Sequence, residues 1–154
     1  MNVLKMVTRF KKLFFIRVTS FFLGYGSIES KASYRVLVLG APKTGKTSIV
    51  KQFLYDQFSD GHNETMDDMY CGEFEGSFGN QITFDIQDVG GNYVYNFPSM
   101  RTVSINSADA FLLVFSLDDP SSFEEAYKLK EMITDAKVNT KNAPKIRNQN
   151  SLQP

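Results

Sequence analysis

The chain has 154 residues, with 17 basic and 17 acidic side chains in balance. That length suits one domain with a real core, and 42% hydrophobic with 14% aromatic residues excludes a wholly disordered chain. A single cysteine and a single histidine exclude a disulfide framework, a Cys-rich metal site and a multi-histidine zinc or iron site. No run reaches the roughly 18–20 apolar residues of a spanning helix.

Charge is distributed unevenly. Residues 1–28 carry five basic residues (Lys5, Arg9, Lys11, Lys12, Arg17) and no acid, whereas residues 55–125 carry fourteen acids against Arg101 alone. The acidic middle excludes that region as a nucleic-acid face, so no nucleic-acid partner is expected.

Val3, Val7, Phe10, Phe14, Val18 and Phe21 recur at helical spacing, with Lys5, Arg9 and Lys12 opposite. This basic amphipathic pattern makes residues 3–22 the candidate contact with a membrane surface. A loosely attached extension and a mitochondrial transit peptide are the alternatives. Residues 1–33 are therefore assigned to an N-terminal extension. Gly24, Gly26, Ser27, Ser30 and Ser33 form its linker.

Tyr34–Gly40 is an apolar run that reads as a strand buried on both faces. Ile49, Val50, Phe53 and Leu54 then give a helix its apolar stripe. Residues 59–69 are polar and unpatterned, so a loop is expected there. Tyr70, Phe74 and Phe78 alternate with glycines, Gly79-Asn80 is a turn signal, and Ile82, Phe84 and Ile86 alternate in the second arm of a hairpin. A short helix is expected near 98–106, and Ala110–Phe115 is a second fully buried strand. Asp119 and Pro120 suit an N-cap and first turn. Ala126, Leu129, Ile133 and Ala136 stripe the following helix. Residues 139–154 are expected to be a disordered tail, because they hold too little apolar surface to offset ordering entropy.

Two segments carry chemistry. Gly40-Ala-Pro-Lys-Thr-Gly-Lys-Thr47 matches the phosphate-binding loop G-x-x-x-x-G-K-[ST], following a buried strand and opening a helix. Backbone N–H groups of such a loop close around phosphate oxygens, and the helix N-terminus adds its dipole. Gly40, Lys43, Thr44, Gly45, Lys46, Thr47 and Ser48 are the candidate phosphate contacts. Lys46 would neutralise β- and γ-phosphate oxygens, and the Thr47 hydroxyl would sit on Mg²⁺. Asp88-Val-Gly-Gly91 lies at the carboxyl end of the next strand, where ligands of open α/β sheets collect. Asp88 is the candidate Mg²⁺ carboxylate there, and the Gly91 amide the candidate γ-phosphate donor.

With these segments in view, the chain resembles the Ras superfamily of small GTPases over roughly 34–144, with most in common with its Rhes/Dexras branch. The resemblance is carried by Val38–Val50, by Gly91-Asn92 followed by Phe97-Pro98-Ser-Met-Arg101, and by Phe111–Asp118 with Ser122–Glu125. It implies an α/β phosphate-loop (P-loop NTPase) fold and a switch between Mg²⁺-bound GTP and GDP, acting in signal transduction. It implies a cytoplasmic setting, peripheral to a membrane if residues 3–22 anchor the chain, with regulator and effector proteins as partners. It gives Phe58 a place beside the guanine base, Thr65 a place on Mg²⁺ and the γ-phosphate, and Gly91 the anchor of the second switch.

The departures are specific. Pro42 replaces the second loop glycine and removes one N–H. Asn92 replaces the water-orienting glutamine with a shorter amide, so slow GTP hydrolysis is expected, with Lys46, Thr65 and Asn92 as the catalytic set. After Ala143-Pro144 the family continues into a strand ending in N-K-x-D, whereas this sequence reads Lys145-Ile-Arg-Asn-Gln-Asn-Ser-Leu-Gln-Pro154. The fold is therefore expected to be C-terminally truncated, with about four strands over 34–138 and no lipidation cysteine. The N-K-x-D carboxylate would accept two N–H bonds worth roughly 1.5–3 kcal/mol each, so base affinity is expected to be weak. Strand 110–115 is expected to form a raw apolar edge, and one sheet face to be bare. The competing expectations are a nucleotide-poor decoy presenting the acidic segment Glu64–Asp68, a partial product that never folds stably, and a phosphate-loop kinase of another type.

Overall fold

The computed structural model describes residues 18–24, 33–57, 65–75 and 81–142. Five strands and four helices are found among them. In chain order they are β1 (Val18–Gly24), β2 (Ser33–Leu39), α1 (Lys46–Tyr55), β3 (Asp67–Glu75), β4 (Gln81–Val89), α2 (Tyr93–Asn96), α3 (Pro98–Ser107), β5 (Ala110–Ser116) and α4 (Pro120–Asn142). They form one sheet in the order β1-β5-β2-β4-β3. The central trio is parallel, β2 pairing with both β4 and β5. The outer strands run antiparallel to their neighbours, β3 on β4 and β1 on β5.

The apolar runs set this order. All of β5 from Ala110 to Phe115 is buried, as are Val36–Leu39 of β2, as strands covered on both faces require. The opening residues Ser33–Arg35 are not buried, so the expectation for β2 holds only over its second half. On one face, Leu37, Leu39, Phe111, Leu113 and Phe115 meet Ala126, Leu129 and Ile133 of α4, with Tyr93 and Ile105 closing the cluster. On the other, Val36, Val38, Ile86, Leu112 and Val114 meet Ile49, Val50 and Phe53 of α1. Helix α4 starts as its sequence suggests, with Asp119 Oδ1 accepting the Ser121 N–H at 3.0 Å. It is locked to α3 where Lys137 Nζ donates to the carbonyls of Asn106 (3.1 Å) and Ala108 (2.7 Å), satisfying acceptors left over at the end of α3.

Several expectations are corrected. Residues 18–24 are a strand, not the end of an amphipathic helix, and so are part of the sheet rather than of a separate extension; residues 3–17 lie outside the described residues. The run Val-Thr-Ser-Phe-Phe favours an extended chain, and the flank of β5 offers a full row of backbone partners, from Val18↔Ser116 to Gly24↔Ala110. Strand β5 is thus not an edge, and the sheet has one strand beyond the four that the family resemblance supplies. Nor is the α1 face bare: Val36, Val38, Ala110, Leu112 and Val114 are all 8% exposed or less. The segment assigned to a loop already pairs from Asp67; its polar residues are tolerated because β3 is an edge strand with exposed side chains. Helix α4 runs to Asn142, past the boundary expected at 138, and residues 143–154 lie outside the described ones. The turn at Gly79-Asn80 also lies outside them, although β3 and β4 pair in the register of a hairpin, out to Glu75↔Gln81. No helix among the described residues is long and apolar enough to cross a membrane.

Candidate functional site

The sheet brings the loop between β2 and α1 beside the carboxyl end of β4. Gly40 leaves β2 at φ 148°, and a Cβ there would stand 2.0 Å from the Val114 carbonyl oxygen. Only glycine lets the loop lie this close to β5. Lys43 and Gly45 are left-handed (φ 63° and 86°), which curls the chain inward ahead of α1. Successive turns of this kind point N–H groups into a common anion-binding concavity. Gly45 then starts the helix, its carbonyl accepting the Ile49 N–H at 3.0 Å. Thr44 is buried and braces the loop from within, donating its hydroxyl to the Ala41 carbonyl at 2.9 Å. Lys43 lies exposed on the loop's outer side, and Ser48 is half-buried in the first turn of α1.

Lys46 is 6% exposed and donates to the carbonyls of Gly40 (3.0 Å) and Ala41 (2.9 Å). Burial lowers its pKa to about 8, with Asp88 opposing the shift. A cation held in so little water is poised to gain from an anion at the loop.

Three side chains form a relay beside it. The Thr47 hydroxyl donates to Asp88 Oδ2 at 2.5 Å. Its single proton is thereby used, so the Thr65 hydroxyl, 2.8 Å away, donates to Thr47. Asp88 is fully buried, and its Oδ1 has no hydrogen-bond partner among the described residues. Burial raises the Asp88 pKa, against the lowering effect of the Thr47 bond and of Lys46. A buried, unsatisfied carboxylate oxygen beside two hydroxyls is an incomplete oxygen set of the kind a hard cation completes. The residues present therefore fit Mg²⁺: Thr47 and Thr65 as hydroxyl ligands, and Asp88 directly or through water. The described residues hold no group of three His, Cys, Asp or Glu side chains placed to hold a metal ion together, so further oxygens would have to come from phosphate and water.

The structure also shows a contact set that the sequence did not single out. The Gly90 N–H donates to the Met66 carbonyl at 2.9 Å, and a Cβ on Gly90 would meet the Thr65 carbonyl oxygen at 2.3 Å. Gly91 lies equally close to the loop, where an added Cβ would stand 2.3 Å from the Pro42 nitrogen. The double glycine of Asp88-Val-Gly-Gly was the available signal, since one glycine suffices for a turn. Asn92 is exposed at the start of α2, with no side-chain cap bond there. Tyr93, next to it, is buried against the core, its hydroxyl 3.4 Å from Ser104 Oγ. Of the expected site residues, Gly40, Lys43, Thr44, Gly45, Lys46, Thr47, Ser48, Thr65, Asp88 and Gly91 thus gather at one sheet end. Phe58 lies outside the described residues.

Comparison with known proteins agrees with this arrangement. Residues 35–148 match the Ras family. The chain belongs to that family. Among its relatives are the human GTP-binding protein Rhes, 41% identical over 119 residues, the GTP-binding protein drn-1 of Caenorhabditis elegans, 34% identical over 119 residues, and human GTP-binding protein Di-Ras1, 33% identical over 121 residues. These alignments cover 77%, 75% and 75% of this chain, but only 44%, 53% and 57% of the relatives. The chain spans about half the length of the relatives it matches. Residues 40–48, 65–68 and 88–92 and helix α4 all fall inside the matched span.

Proposed function

We propose that this Ras-family chain is a guanine-nucleotide switch that holds Mg²⁺-bound GDP or GTP on residues 40–48 and hydrolyses GTP slowly. The observation that carries the proposal is the Thr65–Thr47–Asp88 relay with its unsatisfied Asp88 Oδ1, set beside buried Lys46. The choice of guanine rests on the relatives, whose names call them GTP-binding. Lys46 supplies positive charge for terminal phosphate oxygens, and the loop amides orient them. Thr65 ties the first switch to Thr47, and Gly90 ties the second switch to the first through Met66. Mg²⁺, when bound, neutralises phosphate charge and orients the groups for in-line attack by water. By the resemblance, Asn92 takes the place of the family's water-orienting glutamine. Its exposure and short reach leave that task weakly served, so a partner protein is needed for fast turnover. Signalling follows from ordering of the segments around 60–68 and 89–100. By the same proposal the chain works in the cytoplasm, with contact to a membrane surface through residues 3–17, ahead of β1.

A second reading, a protein-interaction module without turnover, is favoured by one observation. The start of the open edge strand β3 and the residue before it present Met66 (80% exposed), Asp67, Asp68 and Met69 to solvent, a surface that needs no nucleotide to be present. One experiment separates the two: the purified, undialysed chain with Mg²⁺ is denatured, and released nucleotide is measured by ion-exchange chromatography. Stoichiometric GDP or GTP supports the switch. An empty but cooperatively folded monomer supports the interaction module.

A further inference from the structure

Helix α4 has two unlike flanks beside the face that it packs on the sheet. Ala126, Leu129 and Ile133 are buried against β2 and β5. On one flank Glu125 accepts the Tyr95 hydroxyl of α2. The other flank, roughly 200° round the helix, carries Phe123, Tyr127, Thr134 and Val138 in steps of four, seven and four. Phe123, Tyr127 and Val138 are large apolar groups left 44–50% exposed, and Leu117, in the turn before the helix, is more exposed still. Phe123 also meets Phe115 of β5 edge to face at 5.1 Å. Because α2 and α3 lie on the opposite side of α4, this flank opens toward β1, the strand beyond β5. Its outer border is acidic: Glu124, Glu131 and Asp135 are exposed there, with Lys128 the one base in that row. An apolar stripe at helical spacing with a charged border is the surface on which a second amphipathic helix packs.

The chain reaches this flank from its own N-terminus. Val18 pairs with Ser116 at the end of β5. Ser116 is in turn tied to the first turn of α4, its N–H donating to Ser122 Oγ at 2.9 Å. Residue 17 therefore joins the sheet at the strand end that leads into Leu117. The segment ahead of it has a matching stripe, Val3, Val7, Phe10 and Phe14, with five bases and no acid over residues 3–17. As a helix that segment would span about 22 Å, the same length as α4 from Phe123 to Val138.

We propose that the flank of α4 carrying Phe123, Tyr127 and Val138 is an intramolecular docking site for residues 3–17, lying on it as an amphipathic helix antiparallel to α4. Entry beside Ser116 sets the direction, with Phe14 toward Phe123 and Val3 toward Val138. Burial of the two apolar stripes supplies most of the attraction. The bases of the segment meet Glu124, Glu131 and Asp135 at the exposed border, where ion pairs fix orientation more than they add stability. Tethering selects this occupant over a second copy, because a segment joined directly to β1 is present at an effective concentration in about the millimolar range. The inference does not depend on the nucleotide reading. It does bear on the membrane contact proposed above, since one stripe serves both: docking on α4 holds residues 3–17 back from a membrane, and an anionic membrane draws them off.

Hydrogen exchange on the full chain tests this, beside two double variants. Tyr127→Gln with Val138→Gln removes apolar surface from α4 at half-exposed positions and keeps helix propensity. Phe10→Gln with Phe14→Gln removes it from the segment and leaves α4 untouched. Amides of residues 3–17 should exchange about tenfold or more slowly than in the free peptide of the same sequence. Both double variants should lose that protection, with exchange in β2 and β5 unchanged. A segment docked nine-tenths of the time leaves about one-tenth for other contacts, so the α4 variant should bind anionic phospholipid vesicles about tenfold more tightly than the natural chain. Free-peptide exchange in the natural chain, protection kept by the segment variant, or protection that appears only with vesicles overturns the proposal. Protection that fades on dilution gives the stripe to a second copy and overturns it as well.

Discussion

Asp88→Asn gives the most direct test of the site. The amide keeps the shape of the carboxylate and removes its charge. Asp88 is fully buried and, among the described residues, has Thr47 as its one hydrogen-bond donor at Oδ2 and none at Oδ1. An ionised carboxylate accepts about four hydrogen bonds in water, so most of its hydration is left unreplaced. Lys46 and Thr47 favour the charge, yet the pKa of Asp88 is still raised; burial outweighs both. The charge is then a net cost to the ligand-free fold. An unsatisfied buried polar atom is worth about 1–3 kcal/mol, and more when charged. For a chain of this size, a gain of about 1 kcal/mol lifts Tm by about 3 °C. Thermal unfolding in EDTA without nucleotide should therefore show Asp88→Asn melting about 3 °C or more above the natural chain. With Mg²⁺ and GDP at about a hundredfold over Kd, the natural chain should gain roughly 2.7 kcal/mol, and the variant much less. A variant that melts lower in EDTA refutes the claim that Asp88 is held charged at a cost. Equal stabilisation of both proteins by Mg²⁺–GDP refutes its place in the metal site.

Gly40→Ala should lose about 3 kcal/mol or more in urea unfolding, because the new methyl meets the Val114 carbonyl oxygen at 2.0 Å and the φ of 148° is itself strained for alanine. Leu129→Ala opens a cavity where α4 meets the sheet, and the same assay should show a loss of about 2–5 kcal/mol. Burial first, and then the hydrogen bond to Glu125, pushes the Tyr95 hydroxyl from 10.0 up to about 12. A folded value above the unfolded one means that this stability is complete below pH 10 and is lost as pH rises toward 12. Unfolding measured across that window should fall less steeply in Tyr95→Phe; Tyr70, raised to about 12 as well, supplies the slope that remains.

Much of the fold was legible because its signals are local. The apolar runs of β2 and β5, the stripe of α1 and the Gly40–Thr47 loop each specify themselves within ten residues, and each stands where expected. Asp88 was legible as a candidate ligand from its position at a strand end. Its unsatisfied oxygen was not, since that depends on what packs around it. The N-terminal segment misled for a similar reason. Val18 and Phe21 fit a helical stripe and a strand equally well, and the choice was made by the backbone partners of β5, a distant segment. The contact between Pro42 and Gly91 joins two turns separated by half the domain, so no local pattern could announce it.

Strand β1 also imposes an order of events on the chain. Val18 pairs with Ser116 and Gly24 with Ala110, partners roughly ninety residues apart, a separation that slows closure of the sheet. At synthesis rates of about 5–20 residues per second, β1 leaves the ribosome on the order of ten seconds before β5 exists to receive it. Through that interval its backbone has no ladder to join. The strand made first is secured last, and the chain's exposure to wrong pairing is set by how long that wait lasts.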